Sequence, residues 1–308
     1  MITNTFLRRV LASGSVMLLL AAIKVLYIPY DADAHGFAGK RFFPATLTVD
    51  DPFVTDEAGI LFSNRKAPSG DGTITDTSDI GVDYTKSITP RFALSVGGDY
   101  MHLNPEGART QNGFANSVVG GKYLVYLNEE GESLVSLGAN VELGGSGSPR
   151  VGVDSRSTVS PTLFFGKGFG DLPDSVKYLR PLAVTGTLAP NLRASNWTAQ
   201  SVTTGLTLQY NINYLQSFVK DFGWGAPFNR MLILVEFPLQ TCTAPGCGGQ
   251  TTGTANPGMI WVGKYYQIGL EAAIPFNHAS GAHTGIMAQL HFFVDDLYPQ
   301  SLGRPIFK

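Results

Sequence analysis

The sequence predicts an all-β protein: a single antiparallel transmembrane β-barrel of about 10–12 strands that follows a cleaved signal peptide. Three observations support this fold class. Long segments alternate apolar and polar residues with a period of two, the N-terminus has the parts of an export signal, and the composition is poor in charge. Charged residues make up 15% of the chain, aromatic residues 11%, and 36 of the 308 residues are glycine. Soluble domains average roughly 25% charged residues, whereas this composition suits strands whose outer surface faces lipid.

The N-terminus contains the three parts of a secretory signal peptide. Residues 8–9 are both arginine, residues 10–23 are mostly apolar, and residues 32–34 read Ala-Asp-Ala, as at a signal-peptidase site. We therefore expect cleavage after Ala34. The alternative is an uncleaved inner-membrane anchor, but Lys24 interrupts the apolar run before it reaches the roughly 20 residues that a spanning helix needs.

Residues 201–214 show the clearest strand pattern. One set of alternate positions is mostly apolar or aromatic, and the other set is entirely polar or glycine. A helix would mix the two sets, whereas a strand separates them. The same alternation recurs at 79–88, 92–100, 116–127, 135–143 and 285–294, and more weakly at 157–169, 176–189, 229–240 and 258–276. In the last of these segments Lys264 and Glu271 fall on opposite faces, which indicates either a bulge or an overlong strand.

Short turns alternate with long loops along the chain. Residues 128–131 form a tight turn, whereas the longer loops fall at 64–78, 104–112, 144–156, 190–197, 215–228 and 241–257. This arrangement is typical of the periplasmic and extracellular ends of an outer-membrane barrel. A soluble all-β sandwich or barrel also alternates, with its apolar face inward. Soluble strands usually have about five or six residues, however, and the segments here are about twice as long.

The chain divides into three predicted parts. Residues 1–34 are the signal peptide, residues 35–64 are an irregular N-terminal segment, and residues 65–308 are a β-barrel with a C-terminal tail. The N-terminal segment lacks periodicity, so we expect it to lie on the periplasmic rim or to fold into the lumen as a partial plug. The predicted closing strand is 283–294, with the tail behind it.

The export signal, the long amphipathic strands and an aromatic-rich C-terminal region resemble a group of proteobacterial outer-membrane β-barrel transporters. This group is the phenol-degradation (MetA-pathway)-like family. The resemblance is diffuse and covers most of the mature chain. The resemblance depends on the pattern of strands and not on a sequence motif, so no functional residue of the family can be assigned to a position in this sequence. What the resemblance implies is passage of small, often hydrophobic, molecules across the outer membrane.

Charged side chains on membrane strands are predicted to face the lumen, because a charge that faces lipid costs free energy. The alternation assigns to the lumen Asp83, Asp99, Lys122, Glu142, Gln209 and Glu236. A mainly acidic lumen would favour cations over anions. The alternative is that these groups pair inside a packed barrel that conducts nothing. A barrel of about eight strands is nearly filled by side chains and one of sixteen leaves a channel, so the predicted size lies between the two.

The two cysteines, Cys242 and Cys247, lie in a loop rich in glycine, proline and threonine. Export to an oxidising compartment favours a disulfide between them. A metal-binding pair is the alternative, but no histidine or carboxylate lies close by in the sequence. We expect no metal and no cofactor.

The sequence predicts a passive channel or facilitator for small molecules and not an enzyme, because no motif assembles a catalytic group with its partners. The alternative is an outer-membrane barrel with a structural or partner-binding role, and a remote alternative is a soluble periplasmic all-β protein. The formal net charge of −2 provides no basic field for nucleic acid. The expected partners are outer-membrane lipid, the barrel-insertion machinery and a small solute that the sequence does not identify.

Overall fold

A computed structural model of the protein describes residues 36–69 and 72–307. The predicted signal peptide and its cleavage site lie outside the described residues. The described chain is dominated by long strands, and it contains no helix that is long and apolar enough to cross a membrane.

Twelve strands form a closed antiparallel β-barrel, as predicted. They are β3 (Glu57–Pro68), β4 (Ile74–Thr89), β5 (Phe92–Pro105), β7 (Val118–Asn128), β8 (Ser133–Glu142), β9 (Thr158–Gly168), β10 (Leu182–Arg193), β11 (Thr198–Asn211), β12 (Met231–Cys242), β13 (Thr251–Val262), β14 (Tyr266–Pro275) and β15 (Gly285–Phe293). The barrel closes because β15 pairs with β3, with Phe293 opposite Glu57.

Three further strands lie outside this ring of twelve. A small hairpin precedes the barrel and consists of β1 (Phe37–Ala38) and β2 (Arg41–Phe42). A short strand, β6 (Gln111–Phe114), extends the pairing of β5 beyond the reach of β7. Short helical turns occur at Pro149–Val151, Asp174–Leu179, Ile212–Tyr214, Leu215–Val219, Phe228–Arg230, His278–Ser280 and Val294–Leu297.

The apolar faces of the strands point outward and the polar faces point inward. On β11 and β12, Leu208 is 42% exposed and Ile233 is 55% exposed, whereas Gln209 is 2% exposed and Glu236 is completely buried. A soluble barrel would have the opposite arrangement, with apolar side chains inside. The outward surface is therefore suited to lipid, and the alternation at 201–214 predicts the strand orientation correctly as far as Asn211. Residues 212–214 form a helical turn instead, and Tyr214 is buried.

The barrel has two different ends. At one end, here called the terminal end, lie the start of β3, the end of β15, the short turns after β4, β7 and β13, and the longer connections 169–181 after β9 and 212–230 after β11. At the other end, here called the loop end, lie the connections after β3, β5, β8, β10, β12 and β14. The C-terminal tail stays at the terminal end, where the Lys86 ammonium donates to the carbonyls of Leu302 (2.9 Å) and Arg304 (2.8 Å).

The segment 258–276 is neither bulged nor a single overlong strand, so that prediction is wrong. It contains the end of β13, a turn and all of β14, and Val262 lies opposite Gln267 across the hairpin. The Gly263 N–H donates to the Tyr266 carbonyl at 2.8 Å to close the turn. Aromatic residues lie on both sides of the turn, so the turn is difficult to recognise in the sequence. The hairpin also explains why Lys264 and Glu271 fall on opposite faces when the segment is read as one strand, because Lys264 is in the turn.

The first barrel strand begins at Glu57, inside the segment 35–64 that the sequence alone assigns to irregular chain. The error arises because the run Gly-Ile-Leu-Phe at 59–62 places an apolar residue, Leu61, on the inward face as well as Ile60 and Phe62 on the outward face. The remaining N-terminal residues, 36–56, lie inside the barrel. We call them the luminal segment.

The luminal segment packs against inward side chains through two apolar clusters. In one, Phe42 and Leu47 contact barrel residues that include Leu232, Leu234 and Ile260. The other is formed by Ala38, Phe43, Phe53, Leu124, Leu134 and Ala183. These contacts occupy one side of the lumen and leave the side next to β4, β5 and β7 less filled.

Candidate functional site

A cavity of about 340 Å³ lies inside the barrel between the luminal segment and the wall formed by β3, β4, β5 and β7. Its charged and titratable lining side chains are Asp50, Asp51, Glu57, Asp83, Asp99, Lys122 and His291. Asp83 and Asp99 are exposed within the barrel, so the cavity is open to solvent. Five carboxylates against one lysine give the cavity an acidic lining.

The register of the strands places a glycine opposite each of Asp83 and Asp99, which leaves space for their side chains. Asp83 lies opposite Gly59 of β3, and Asp99 lies opposite Gly81 of β4. A Cβ atom at either glycine would collide with the facing carboxylate oxygen. The two glycines thus let each carboxylate lie flat over the neighbouring strand, which keeps the cavity from being filled by side chains.

Lys122 connects the barrel wall to the luminal segment. Its ammonium lies 2.9 Å from Asp50 Oδ1 and donates to the Asp51 carbonyl at 2.6 Å. The same ammonium lies 4.7 Å from the centre of the Phe164 ring. Although Lys122 lines the cavity, its charge is therefore neutralised locally, and Asp83 and Asp99 remain as the exposed charges.

Two further carboxylates lie at the boundary between the luminal segment and the wall. Glu57 Oε2 is 3.3 Å from His291 Nε2 and accepts the Thr55 hydroxyl at 3.0 Å. Asp51 Oδ1 accepts the Phe53 N–H at 2.7 Å. Burial raises the pKa of Asp51 from 3.8 to about 7, against the opposing attraction of Lys122. The charge of this part of the lining therefore changes close to neutral pH.

Glu236 holds the luminal segment near the middle of β12, and its side chain is completely buried. Its Oε2 accepts the N–H groups of Leu47 (3.1 Å) and Thr48 (2.9 Å) and the Thr48 hydroxyl (2.9 Å). Its Oε1 accepts the Val49 N–H at 2.9 Å and the Thr207 hydroxyl at 3.3 Å. Successive N–H groups around one anion form a concave binding site of the kind that backbone turns provide. We call this the Glu236 cluster.

Arg41 fastens the luminal segment at the terminal end, where its side chain is completely buried. Its Nε lies 3.1 Å from Glu132 Oε2, and its other nitrogens donate to the carbonyls of Pro181, at 2.9 Å, and Arg180. The guanidinium carbon lies 3.9 Å from the centre of the Tyr214 ring. Tyr214 in turn donates its hydroxyl to Glu132 Oε1 at 2.9 Å. We call this the Arg41 cluster.

The Tyr214 hydroxyl is a constant donor in the Arg41 cluster. Burial, together with the hydrogen bond to Glu132, raises the pKa of Tyr214 to about 12. The hydroxyl therefore keeps its proton throughout the physiological range. Since Arg41 also stays charged in this range, the cluster does not depend on pH in the way that Asp51 does.

The six lumen-lining candidates fall into three places. Asp83, Asp99 and Lys122 line the cavity. Gln209 and Glu236 are buried on the opposite side of the lumen, behind the luminal segment. Glu142 lies at the loop end of β8, outside the cavity, and accepts a hydrogen bond from the Asn116 amide at 2.8 Å.

The sequence alone misses the contribution of the luminal segment. Asp50 and Asp51 line the cavity and Arg41 anchors the segment, but none of them lies on a strand with period-two alternation. Glu132 is missed because it lies in the tight turn before β8, with a positive φ of 45°. The only available signal was that an aperiodic stretch next to the predicted signal peptide contains several charged residues.

Cys242 and Cys247 form the predicted disulfide at the loop end, with Cα atoms 6.1 Å apart. It closes the connection between β12 and β13 far from the luminal segment. Among the described residues, no group of three or more His, Cys, Asp or Glu side chains is arranged to hold a metal ion.

Comparison with known proteins supports the fold. No protein-family model matches the sequence, and no curated protein matches it. Among solved structures, the chain is similar to the COG4313 outer membrane channel from Pseudomonas putida F1, with a TM-score of 0.54 and 11% identity over 82% of this chain and 98% of that one. It is also similar to the KdgM porin, with a TM-score of 0.46 and 14% identity over 76% and 98% of the two chains. The likeness to the COG4313 channel, at this low identity, shows a shared outer-membrane barrel fold.

Proposed function

We propose that the protein is a passive channel for small molecules in the bacterial outer membrane. The observation that carries the proposal is the acidic cavity beside the luminal segment, inside a barrel whose outer surface is apolar. An apolar outer surface around a polar interior is what a barrel in a bilayer requires. The similar structure from Pseudomonas putida is described as an outer membrane channel, which supports the same assignment.

The proposed orientation follows from the two ends of the barrel. Bacterial outer-membrane barrels have short periplasmic turns and longer extracellular loops. Three of the five connections at the terminal end are tight turns, so we place this end, with the luminal segment and the C-terminal tail, in the periplasm, and the loop end with its disulfide outside the cell. Export by the signal peptide and insertion by the barrel-insertion machinery are parts of this proposal, with outer-membrane lipid as the direct neighbour of the strands.

The proposed solute preference follows from charge. Asp83 and Asp99 are the exposed charges of the cavity, and Lys122 is paired with Asp50. Acidic linings select for cations. The family resemblance adds a finer proposal, which is that small hydrophobic molecules also pass. Solute-uptake assays on proteoliposomes with a small organic cation, a small aromatic alcohol and an organic anion would rank the three classes.

The reversal potential in a salt gradient across a planar bilayer tests the proposal. We expect a cation preference in the unmodified protein and a smaller one in the variant Asp83→Asn/Asp99→Asn. Glu142→Gln is the matched control. It removes a carboxylate that the alternation also assigns to the lumen but that lies outside the cavity. Equal reversal potentials for all three proteins would show that the cavity is not the path of the ions.

A second function is favoured by one observation, namely that the luminal segment is held by two buried polar clusters. If the lumen never conducts, the barrel would instead present its loops to a partner at the cell surface. Complete absence of current and solute uptake from correctly folded protein would select this second function.

A further inference from the structure

The barrel wall behind the luminal segment contains buried polar side chains beside the apolar residues that pack against the segment. Its most buried polar side chains are Thr207, Gln209, Glu236, Asn256, Gln267 and Glu271, each at most 2% exposed. A permanently packed core is normally apolar, because burial of amides and carboxylates costs free energy. The wall of an open aqueous lumen, by contrast, would have this composition.

Several of these polar atoms have no hydrogen-bond partner while the luminal segment is in place. Both amide atoms of Gln209, the Asn256 carbonyl oxygen and the Gln267 carbonyl oxygen are buried without a partner. Each unsatisfied group costs roughly 1–3 kcal/mol. Contact with water would remove this cost, which lowers the net free energy that holds the segment in place.

The contacts that oppose this cost are the two apolar clusters, the Glu236 cluster, the Arg41 cluster and side-chain bonds to the segment backbone. Gln267 donates to the Ala45 carbonyl, and Gln289 donates to the Thr46 carbonyl at 3.2 Å. In the described part of the chain, no ladder hydrogen bond joins the segment to a barrel strand, so the segment can leave without disrupting the pairing of the barrel.

The path of the segment also permits its withdrawal. The segment enters at the terminal end, where Arg41 lies, and reaches mid-barrel at residues 47–49. It then returns to the terminal end, where it continues into Glu57 of β3. Both ends of the inserted part are therefore on the same side of the barrel, and no chain has to thread through the lumen.

We propose that the luminal segment is a displaceable plug, and that its withdrawal toward the terminal end joins the acidic cavity and the polar wall behind it into one wider aqueous passage. This inference rests on the proposed channel function. It predicts two conducting states: a narrow state through the cavity with the segment in place, and a wide state after the segment has moved.

An engineered disulfide tests the plug. A Cβ atom built on Gly205 lies 2.9 Å from Val49 Cγ1 and 3.0 Å from Val49 Cγ2. The Cβ atoms of cysteines at these two positions therefore lie close together, as a disulfide requires. The pair Val49→Cys/Gly205→Cys is made in a Cys242→Ser/Cys247→Ser background, so that reduction acts on the new bond alone.

Single-channel recording of the folded full-length barrel is then made before and after reduction. We expect only the narrow state when the disulfide is closed, and the wide state in addition after reduction. The single variants Val49→Cys and Gly205→Cys are the controls and should not respond to reductant. If the double variant fails to fold, Leu47→Cys/Gly269→Cys replaces it, because a Cβ on Gly269 lies 2.5 Å from Leu47 Cδ1.

The outcomes separate the two proposals. Identical current in the oxidised and reduced protein would overturn displacement of the segment and leave the channel function intact. Absence of current in the reduced and unmodified proteins would overturn the channel function and the plug together.

Discussion

Replacement of Glu236 by glutamine should loosen the luminal segment. The carboxylate accepts five hydrogen bonds, three of them at Oε2 and two at Oε1. If the glutamine amide oxygen takes the place of Oε2, it can still accept the three hydrogen bonds made there. The amide NH2 group then takes the place of Oε1 and faces the Val49 N–H. That buried N–H then has no acceptor, at a cost of roughly 1–3 kcal/mol, and the remaining bonds lose their charge assistance.

Together these losses amount to about 3 kcal/mol, or roughly a 100-fold change in the equilibrium between the bound and the detached segment. Hydrogen exchange measured by mass spectrometry on the folded barrel reports this equilibrium directly. We expect the amides of Leu47, Thr48 and Val49 to lose protection by that factor in Glu236→Gln, while the barrel strands keep theirs.

Thr207→Val is the matched control for this experiment. It removes only the 3.3 Å hydroxyl bond to Glu236 and keeps the shape of the side chain. Its effect should therefore stay near or below about 1 kcal/mol. Unchanged protection of residues 47–49 in Glu236→Gln would refute the conclusion that this carboxylate holds the segment.

Three further predictions concern the anchor, the pH dependence and the membrane surface. Arg41→Met should weaken the attachment of the segment by about 3–5 kcal/mol, because it leaves the Glu132 carboxylate buried without its cation. Limited proteolysis from the terminal end would detect the loosened segment. The attachment of the segment should also weaken with rising pH, because burial raises the pKa of Asp51 from 3.8 to about 7. The contribution of protonated Asp51 to the stability of the attachment is complete below about pH 4 and is lost as the pH passes about 7. Hydrogen exchange at several pH values should show this slope, and Asp51→Asn should flatten it. Ile80→Arg should destabilise the barrel in lipid by roughly 2–4 kcal/mol, measured by denaturant titration in vesicles, whereas an equal stability in both proteins would argue against a lipid-facing position.

Period-two alternation was sufficient to locate most strands, and strand length together with low charge favoured a membrane barrel with its apolar faces outward. At 201–211 every inward position is polar or glycine, as that arrangement requires. The pattern is informative here because a membrane barrel reverses the usual arrangement and places two opposite solvents on its two faces. The same reasoning assigned Asp83, Asp99 and Glu236 to inward positions.

Alternation fails where chain geometry is not periodic. The hairpin between β13 and β14 was missed because its turn lies between aromatic residues and lacks an Asn-Gly type signal. The luminal segment was harder still. Its contacts join residues far apart in sequence, such as Arg41 with Glu132 and Val49 with Glu236, and these depend on the closed barrel around them. No local pattern encodes such pairs.

The current through single purified barrels in a planar bilayer tests the central conclusion most directly. The protein should produce discrete conductance steps in a salt solution, with cations carrying more of the current than anions because Asp83 and Asp99 are the exposed charges of the cavity. A correctly folded, heat-modifiable barrel that inserts into the bilayer and carries no current would contradict the assignment as a channel.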